Sequence, residues 1–324
     1  MIIGFLLVGL TLAVAAPASD DPTPRYITYY NSDDSPLSAA LDTPYTHIIL
    51  AFITASVDDQ NNITLHTNKH LDTAWNVVPE LQKKGKKVMI SFGGGLLQAA
   101  EYAPLAGREA ELGKLLADFI RTKGLDGIDI DYEASATFHT ERPAGIIDGR
   151  KFVIALTKAL RLELPAPDYL LSHAPQPPYL FVEWHGGAYL DILKVVGDQI
   201  DWIIVQYYNN PGFDSPNDSQ VVGRIGTPYP TSFHGLTDAS GSLRWPANKI
   251  VVGKPVHKTN VQSGYSLPED LIQQIIRPLQ KVYGNQFGGI MGWQFDSHGN
   301  DHPAWNTIVG QVLLDPAKDE KAPD

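Results

Sequence analysis

The sequence predicts a (β/α)8 barrel, a single domain in which eight parallel strands are each followed by a helical segment. Short runs of β-branched and aromatic residues alternate with longer amphipathic stretches, which is the pattern of βα units. The chain has 324 residues, 43% of them hydrophobic, and can therefore bury a core of barrel size. No Gly-x-Gly-x-x-Gly turn follows the first run, which argues against an open dinucleotide-binding sheet.

The predicted strands recur along the whole chain. They are Arg25–Tyr30, His47–Ile53, Lys87–Phe92, Gly127–Glu133, Tyr169–Ala174, Trp202–Tyr208, Ile250–Pro255 and Gly289–Phe295. The clearest predicted helices are Glu109–Lys123, Gly149–Leu164, Gly186–Val196, Pro268–Tyr283 and Ala304–Leu314. We expect Pro278 to kink the fourth of these helices. Residues 256–288 separate the last two strands, and the predicted helix Pro268–Tyr283 fills part of them.

Both ends of the chain differ from the barrel in composition. Residues 1–19 contain an apolar run that ends in small residues near Ala16, which is typical of a secretory signal peptide. This run is shorter than the ~20 apolar residues that span a bilayer. We therefore expect a secreted, extracellular protein without a membrane anchor. Residues 20–314 would form the barrel, and the polar residues 315–324 a disordered tail.

The charge of the chain limits its partners. The formal net charge is -11, which argues against nucleic acid as a partner. No Ser-His-Asp arrangement or metal-ligand spacing surrounds His173, so we interpret it as a hydrogen-bonded core histidine. The sequence gives no reason to expect a cofactor or a metal. A monomer is the default expectation.

Four carboxylates lie within eight residues of the chain, in Asp126-Gly-Ile-Asp-Ile-Asp-Tyr-Glu133. Side chains alternate between the two faces of a strand, so Asp129, Asp131 and Glu133 share one face and Asp126 faces the other way. Like charges about 6.6 Å apart along a strand repel one another when ionised, which raises their pKa values. A carboxyl that stays protonated at neutral pH can act as a general acid. We expect an acid catalyst on the shared face and a structural hydrogen bond for Asp126.

Polar and aromatic residues also end three other predicted strands. These strand ends are Ser91-Phe-Gly-Gly-Gly95, Gln206-Tyr-Tyr-Asn209 and Trp293-Gln-Phe295. In a parallel barrel the active site is built at the carboxyl ends of the strands. Alternation along the sixth strand points Tyr208 into the barrel with Gln206, and Tyr207 towards the helices. The four strand ends are therefore expected to converge on one site.

This combination resembles glycoside hydrolase family 18, which comprises chitinases and endo-β-N-acetylglucosaminidases. Residues 126–133 match its Asp-x-x-Asp-x-Asp-x-Glu signature. Ser91-Phe-Gly93-Gly94 looks like its Ser-x-Gly-Gly motif, and Gln206-Tyr-Tyr-Asn209 is similar to the Gln-Phe-Tyr-Asn of its smaller members. Gly289-Ile-Met-Gly-Trp293 looks like its last strand. The four motifs stand in the family's order and cover nearly the whole chain after residue 19.

The resemblance implies a retaining mechanism in which the substrate supplies the nucleophile. Glu133 would be the general acid, and the 2-acetamido oxygen of the sugar would attack C1. Asp131 would hydrogen-bond the acetamido N–H, and Asp129 would share a proton with Asp131. Tyr208 would hold the acetamido oxygen.

The resemblance also implies substrate contacts and supporting roles. Substrate contacts are expected for Trp293 as the floor of the cleaved subsite, and for Gln206, Tyr29 and Asn209. Supporting roles are expected for Ser91, which would steady Asp129, and for Gly93 and Gly94, which permit a tight turn. Tyr29 is a second candidate for steadying Asp129. Larger members of the family carry an additional α+β domain between the last two strands, and residues 256–288 are too few for one, so the resemblance implies a shallow, open groove.

Three functions remain open at this stage. The first is a secreted chitinase that cleaves β-1,4-linked N-acetylglucosamine polymers, and the second is an endo-β-N-acetylglucosaminidase that cuts the core of N-linked glycans. The third is a chitin-binding lectin whose barrel has lost catalytic activity, although such lectins commonly lose the residue that is Glu133 here. Aromatic residues after the fifth and sixth strands are candidates for sugar stacking. They are Tyr179, Phe181, Trp184, Phe213, Tyr229, Phe233 and Trp245.

Overall fold

Nine strands in the described part of the chain belong to one sheet. The computed structural model describes residues 24–32, 35–215, 218–226, 228–295 and 304–315, so the predicted signal peptide and residues 316–324 of the predicted tail lie outside it. The strands are β1 (Arg25–Tyr30), β2 (His47–Val57), β3 (Ile63–Thr67), β4 (Lys87–Gly93), β5 (Gly127–Asp131), β6 (Leu170–His173), β7 (Trp202–Gln206), β8 (Ile250–Pro255) and β9 (Gly289–Trp293).

Eight of these strands close into a parallel barrel. Strand β1 pairs in parallel with both β2 and β9, β2 also pairs in parallel with β4, and the remaining parallel pairs follow the chain order from β4 to β9. The predicted (β/α)8 barrel is therefore confirmed, and each of its eight strands is present.

The ninth strand, β3, was not predicted. It pairs antiparallel with the second half of β2, which continues beyond Ile53 to Val57. The connecting turn is held by Asp58, whose Oδ1 accepts hydrogen bonds from the backbone N–H groups of Gln60 and Asn62 at 2.9 and 2.8 Å. The hairpin therefore extends β2 beyond the barrel at its carboxyl end, beside the cleft described below.

Helices cover the outside of the barrel. They are α1 (Leu71–Ala74), α2 (Val78–Lys83), α3 (Ala99–Tyr102), α4 (Glu109–Lys123), α5 (Gly149–Glu163), α6 (Ala188–Val196), α7 (Asp218–Val221), α8 (Phe233–Thr237), α9 (Pro268–Leu271), α10 (Arg277–Tyr283) and α11 (Gly310–Leu314). A π-helical turn, Ile272–Ile276, lies between α9 and α10 just before Pro278, where a kink was expected. Residues 256–288 hold only helical segments and loops, so no α+β domain is inserted there.

Local sequence explains where the longest helices begin and end. Helix α4 has acidic residues in its first turn and basic residues in its last, which complements the helix dipole, and it ends at Gly124 in the left-handed region with φ 65°. Helix α5 begins at Asp148, whose carboxylate accepts hydrogen bonds from two backbone N–H groups of the first turn. Within the described ranges, no helix has both the length and the apolarity to cross a membrane.

The core has two layers because strand side chains alternate between the two faces. Outward-facing residues such as Ile128 and Ile203 pack under the helices. Inward-facing residues such as Met89 and Met291 fill the barrel. Arg25 covers the ring of buried Trp202 at 4.4 Å near the amino ends of the strands. The lumen is therefore packed with side chains below the cleft.

Candidate active site

A cleft of about 440 Å³ opens at the carboxyl ends of the barrel strands. Seven of the predicted site residues line it, namely Gly94, Asp131, Glu133, Gln206, Tyr208, Asn209 and Trp293. Eight further lining residues were not predicted as site residues, namely Asn31, Phe52, Thr54, Asn68, Gly95, Leu96, Gln176 and Asn260. Asn31 and Gln176 lie just after β1 and β6, so the rule that polar residues follow the strands of a barrel would have found them.

Asp129 lies beneath the cleft and is completely buried. Its Oδ2 accepts hydrogen bonds from the hydroxyls of Tyr29 and Ser91, both at 2.8 Å, and its Oδ1 accepts one from Ser172 at 2.7 Å. Burial raises the pKa of Asp129 to about 6, although the three hydroxyls favour the charged form. Ser91 and Tyr29 therefore lie where they were expected to steady Asp129, and Tyr29 does not line the cleft.

Asp131 and Glu133 form a hydrogen-bonded pair at the base of the cleft. Burial, together with the negative charge of Glu133, raises the pKa of Asp131 well above its usual value. Burial also raises the pKa of Glu133. Because two buried carboxylates in contact cannot both be ionised without a large cost, the pair favours the state that holds one proton over the doubly ionised state.

This pairing differs from the one expected from the sequence. Asp131 was expected to share a proton with Asp129, yet in the described structure the hydrogen bonds of Asp129 go to three hydroxyls and Asp131 bonds to Glu133. Asp129 acts on Asp131 through its charge, which is a smaller influence than that of Glu133. The alternation of the strand places all three carboxyls on one face, but the side-chain conformation selects the partner.

Two glutamine amides donate hydrogen bonds to the carboxyl pair. Gln206 Nε2 donates to Asp131 Oδ1 and to the carbonyl oxygen of Ala174, both at 2.8 Å. Gln176 Nε2 donates to Glu133 Oε2, also at 2.8 Å. The main contact of Gln206 is therefore with Asp131. The contact of Gln176 with Oε2 favours the charged form of Glu133 and opposes the effect of burial on its pKa.

Tyr208 and Trp293 form an aromatic part of the cleft wall. Tyr208 is only 5% exposed and packs with the inward-facing core, while Tyr207 packs under the helices, as the alternation predicted. Burial raises the pKa of Tyr208 well above 10.0, so its hydroxyl remains protonated. The Trp293 ring stacks on Phe52 at 6.0 Å and meets Tyr29 edge-on at 5.6 Å. Its half-buried face borders the cleft.

Asn209 stands at the rim of the cleft in the left-handed backbone region, with φ 53°. Its side-chain oxygen accepts a hydrogen bond from the backbone N–H of Gln262 at 2.8 Å. This contact ties the segment after β7 to the segment after β8. Asn209 is well exposed and lines the cleft, so it is available to a ligand.

Gly93 and Gly94 are required by the close approach of β4 to its neighbours. Gly93 has φ 116°, and a Cβ there would lie 2.2 Å from the carbonyl oxygen of Asp131. Gly94 has φ 87°, and its backbone N–H donates to the same carbonyl at 2.8 Å. The glycines therefore fix the position of Asp131 as well as permitting the turn.

Two polar residues of the sequence lie away from the cleft, as predicted. Asp126 accepts hydrogen bonds from the backbone N–H of Val88 and from the Gln82 amide, both at 2.8 Å, at the amino end of β5. His173 is buried between Thr157 and Tyr189, and burial lowers its pKa to about 3. Both residues have structural contacts and do not line the cleft.

The loop aromatics divide into two groups. Tyr179 and Phe233 are fully buried and belong to the core, so the expectation of sugar stacking is wrong for them. Tyr179 instead donates to the backbone carbonyl of Glu133 at 3.4 Å and supports that residue. Phe181, Phe213 and Tyr229 are half-buried and pack against one another, and Trp184 and Trp245 are half-buried against the core. None of the seven predicted aromatics lines the cleft. In the ranges that the structure describes, no group of acidic or histidine side chains is arranged to hold a metal ion.

A parallel (β/α)8 barrel with a buried carboxyl pair of raised pKa and an aromatic wall at the carboxyl ends of its strands is typical of a glycoside hydrolase. The chain belongs to the glycosyl hydrolases family 18, whose model matches residues 25–266. The family suggested by the acidic motif is thereby confirmed.

The chain is similar to several members of this family. It is 36% identical to a solved GH18 chitinase from Pseudoalteromonas aurantia, with a TM-score of 0.75, over 89% of this chain and 100% of that one. It is 28% identical to an acidic endochitinase from Cicer arietinum, over 81% of this chain and 83% of that protein. A fungal endo-β-N-acetylglucosaminidase of the family has the same fold, with a TM-score of 0.66 at 21% identity over 91% of this chain and 99% of that one.

Proposed function

We propose that the chain is a secreted endo-chitinase that cleaves β-1,4-linked N-acetylglucosamine polymers with retention of configuration. The observation that carries this proposal concerns Asp131, which is the only carboxyl besides Glu133 among the described residues that line the cleft and which is engaged by Glu133 and Gln206. Asp129 is fully buried with three hydroxyl partners, and Asp131 is bonded to Glu133 and Gln206. A retaining reaction therefore draws its nucleophile from the substrate.

The first step breaks the glycosidic bond. The Glu133 carboxyl donates its proton to the glycosidic oxygen while the 2-acetamido carbonyl oxygen attacks C1, and the C1–oxygen bond breaks. The products are the leaving alcohol and an oxazolinium ring with one positive charge. Asp131 accepts the acetamido N–H and stabilises that charge, and the Tyr208 hydroxyl donates to the acetamido oxygen.

The second step restores the enzyme. The Glu133 carboxylate takes a proton from a water molecule, whose oxygen attacks C1 and reopens the oxazolinium ring. The sugar regains its acetamido group, and its anomeric configuration is retained after two inversions. Trp293 would hold the sugar by its apolar face during both steps.

The similarity to named chitinases supports chitin as the substrate. The Pseudoalteromonas aurantia protein is a chitinase, and the Cicer arietinum protein is an acidic endochitinase. The open cleft, without an inserted domain in residues 256–288, favours attack within a chain over processive action from an end. The fungal endo-β-N-acetylglucosaminidase shares the fold alone, so it gives less support to N-linked glycans.

One experiment tests substrate and mechanism together. The protein is incubated with an N-acetylglucosamine hexamer, with the fully deacetylated hexamer and with a high-mannose glycoprotein. We expect cleavage of the first substrate only, with β-anomeric products by proton NMR immediately after cleavage. Cleavage of the deacetylated hexamer would refute substrate assistance, and cleavage of the glycoprotein alone would refute the chitinase.

Secretion is a separate proposal, supported by the apolar residues 1–19. Expression of the whole chain in a eukaryotic host should release a protein into the medium that begins between residues 17 and 20. Protein sequencing of the released chain checks this. An intact amino terminus that stays with the cells contradicts secretion.

A further inference from the structure

A fully buried lysine, Lys254, lies on β8 immediately behind the cleft wall. Its Nζ donates to the backbone carbonyl of Tyr207 at 3.0 Å. The pairing of β7 with β8 ends at Gln206 and Gly253, so the Tyr207 carbonyl lies one residue beyond the last pair. The Tyr207 backbone N–H still donates to the Gly253 carbonyl at 3.1 Å, and the lysine binds the carbonyl of the same residue, directly before Tyr208.

A buried carboxylate accompanies this lysine. Asp214 is 4% exposed, and its Oδ2 accepts hydrogen bonds from the Asn210 backbone N–H at 2.8 Å and from the Ser263 hydroxyl at 2.5 Å. Burial lowers the pKa of Lys254 to about 8, and the charge of Asp214 counteracts this shift. Buried charges are costly unless they are compensated. Their retention at this place therefore suggests a role beyond packing.

Asn210 connects Asp214 to the proposed catalytic tyrosine. Its Nδ2 donates to the Tyr208 carbonyl at 2.7 Å and to the Gln206 carbonyl at 3.2 Å. The Asn209 backbone N–H donates to the Ser263 carbonyl at 3.2 Å. The carbonyl groups of residues 206–208 are thus bound by side chains just where the segment leaves the sheet.

We propose that Lys254, Asp214 and Asn210 are positioning residues that hold Tyr208 at the place where it meets the substrate. The inference rests on the proposed function, because Tyr208 acts on the acetamido group. A small displacement of a reacting or orienting group can reduce the rate by up to ~10²-fold. The network therefore affects kcat through Tyr208.

Lys249 provides a matched control on the same pair of strands. It is partly buried just before β8 begins, and its Nζ donates to the Ile200 carbonyl at 2.7 Å, just before β7 begins. Lys249 and Lys254 thus bind backbone carbonyls at opposite ends of the same two strands. Lys254→Met should lower kcat about tenfold with KM within about twofold, whereas Lys249→Met should leave both unchanged.

A double-mutant cycle with Tyr208→Phe separates positioning from general destabilisation. If Lys254 acts through Tyr208, Lys254→Met changes kcat by less than about twofold once the hydroxyl is gone. Multiplicative losses in the cycle, or an unchanged kcat in the folded single variant, overturn the inference. If Lys254→Met does not fold, Ser263→Ala replaces it in the same cycle, because it removes one hydrogen bond from Asp214 without uncovering a buried charge.

A structural measurement decides the inference independently of activity. In a crystal structure of the Lys254→Met protein, the Tyr208 hydroxyl should be displaced or occupy more than one position. An unmoved Tyr208 refutes the positioning role whatever the substrate is. If the wild-type protein does not cleave the N-acetylglucosamine hexamer, the proposed function fails, and this crystal structure still tests the network.

Discussion

Carboxylates at the two ends of the barrel have opposite surroundings. At the amino ends of the strands, Asp126 lies 3.4 Å from Lys87 Nζ and accepts a backbone N–H, and Asp201 lies 2.8 Å from Arg161 Nη2. Asp201 also accepts the backbone N–H of Leu171 at 2.7 Å. These carboxylates are paired with cations and tie neighbouring strands together.

At the carboxyl ends, the three carboxyls on the shared face of the acidic motif meet neutral donors only. Within the described chain, Asp129, Asp131 and Glu133 form no ion pair, and their hydrogen bonds come from hydroxyls, from glutamine amides and from one another. Burial without a cation raises their pKa values. The same residue type thus serves the fold at one end and can supply a proton at the other, and the difference lies in its neighbours.

The strongest test of this contrast removes the proton donor. Glu133→Gln keeps the shape of the side chain and its contact with Gln176, but it has no acidic proton. We expect kcat on the N-acetylglucosamine hexamer to fall about 10³-fold, the range for a lost general acid, with binding retained. Steady-state kinetics and calorimetric titration measure both. Undiminished hydrolysis is incompatible with the role of Glu133.

A second substitution removes the charge beside the donor. Asp131→Asn should lower kcat about 10²-fold, because the positive charge of the oxazolinium loses its stabilising partner. The circular dichroism spectrum should stay that of the wild type, since the amide can still bond to Glu133. If the rate hardly changes, the substrate does not supply the nucleophile in the way proposed.

A third substitution places a cation beside a carboxylate at the carboxyl ends of the strands, as is found at their amino ends. Glu133 acts as an acid while protonated, and its pKa is raised, so activity declines as the pH rises through that pKa. An ammonium in Gln176→Lys stabilises the carboxylate and lowers this pKa, so the alkaline limb moves to lower pH and activity at neutral pH falls about tenfold.

Gln176→Met is the control for that experiment. The Gln176 amide is the main contact that lowers the pKa of Glu133. Its loss without a new charge should therefore move the alkaline limb to higher pH. The pH profile of kcat/KM measures both variants. If the alkaline limbs of both variants move in the same direction, the assignment of Glu133 as the general acid is contradicted.

The smallest effect on activity is expected at the other end of the barrel. Asp126→Asn weakens hydrogen bonds between β4, β5 and α2, and should lower the free energy of unfolding by ~1–2 kcal/mol. Denaturant unfolding measures this change. The kcat of the variant should equal that of the wild type, and a loss of rate in the folded variant would show that the two ends are not independent.

Much of the barrel could be predicted because its strands are strongly patterned. The hairpin was missed because the prediction ended β2 at Ile53, although the following residues continue to alternate. Strand ends were also overestimated, since β5 ends at Asp131 and β7 at Gln206, while Glu133 and Tyr208 follow on loops. The predicted side-chain directions of Tyr207 and Tyr208 are nevertheless confirmed.

The partners within the site could not be predicted in the same way. Asp131 lies two residues from both Asp129 and Glu133, so alternation alone does not choose between them. The sequence does not mark a single glutamine such as Gln176 as a site residue, because its role depends on its distance to Glu133. Such contacts depend on side-chain rotamers and on loops that come together from distant parts of the chain.

The glycines after β4 also determine which positions can be redesigned. A methyl group at position 93 would collide with the Asp131 carbonyl at 2.2 Å, so a mutant library should keep this residue fixed. A methyl group at position 95 would lie 3.6 Å from Glu133 Oε2, which is an ordinary contact distance, and the position is exposed. Position 95 is therefore a place where engineering can alter the surroundings of the acid and leave the strand that carries it intact.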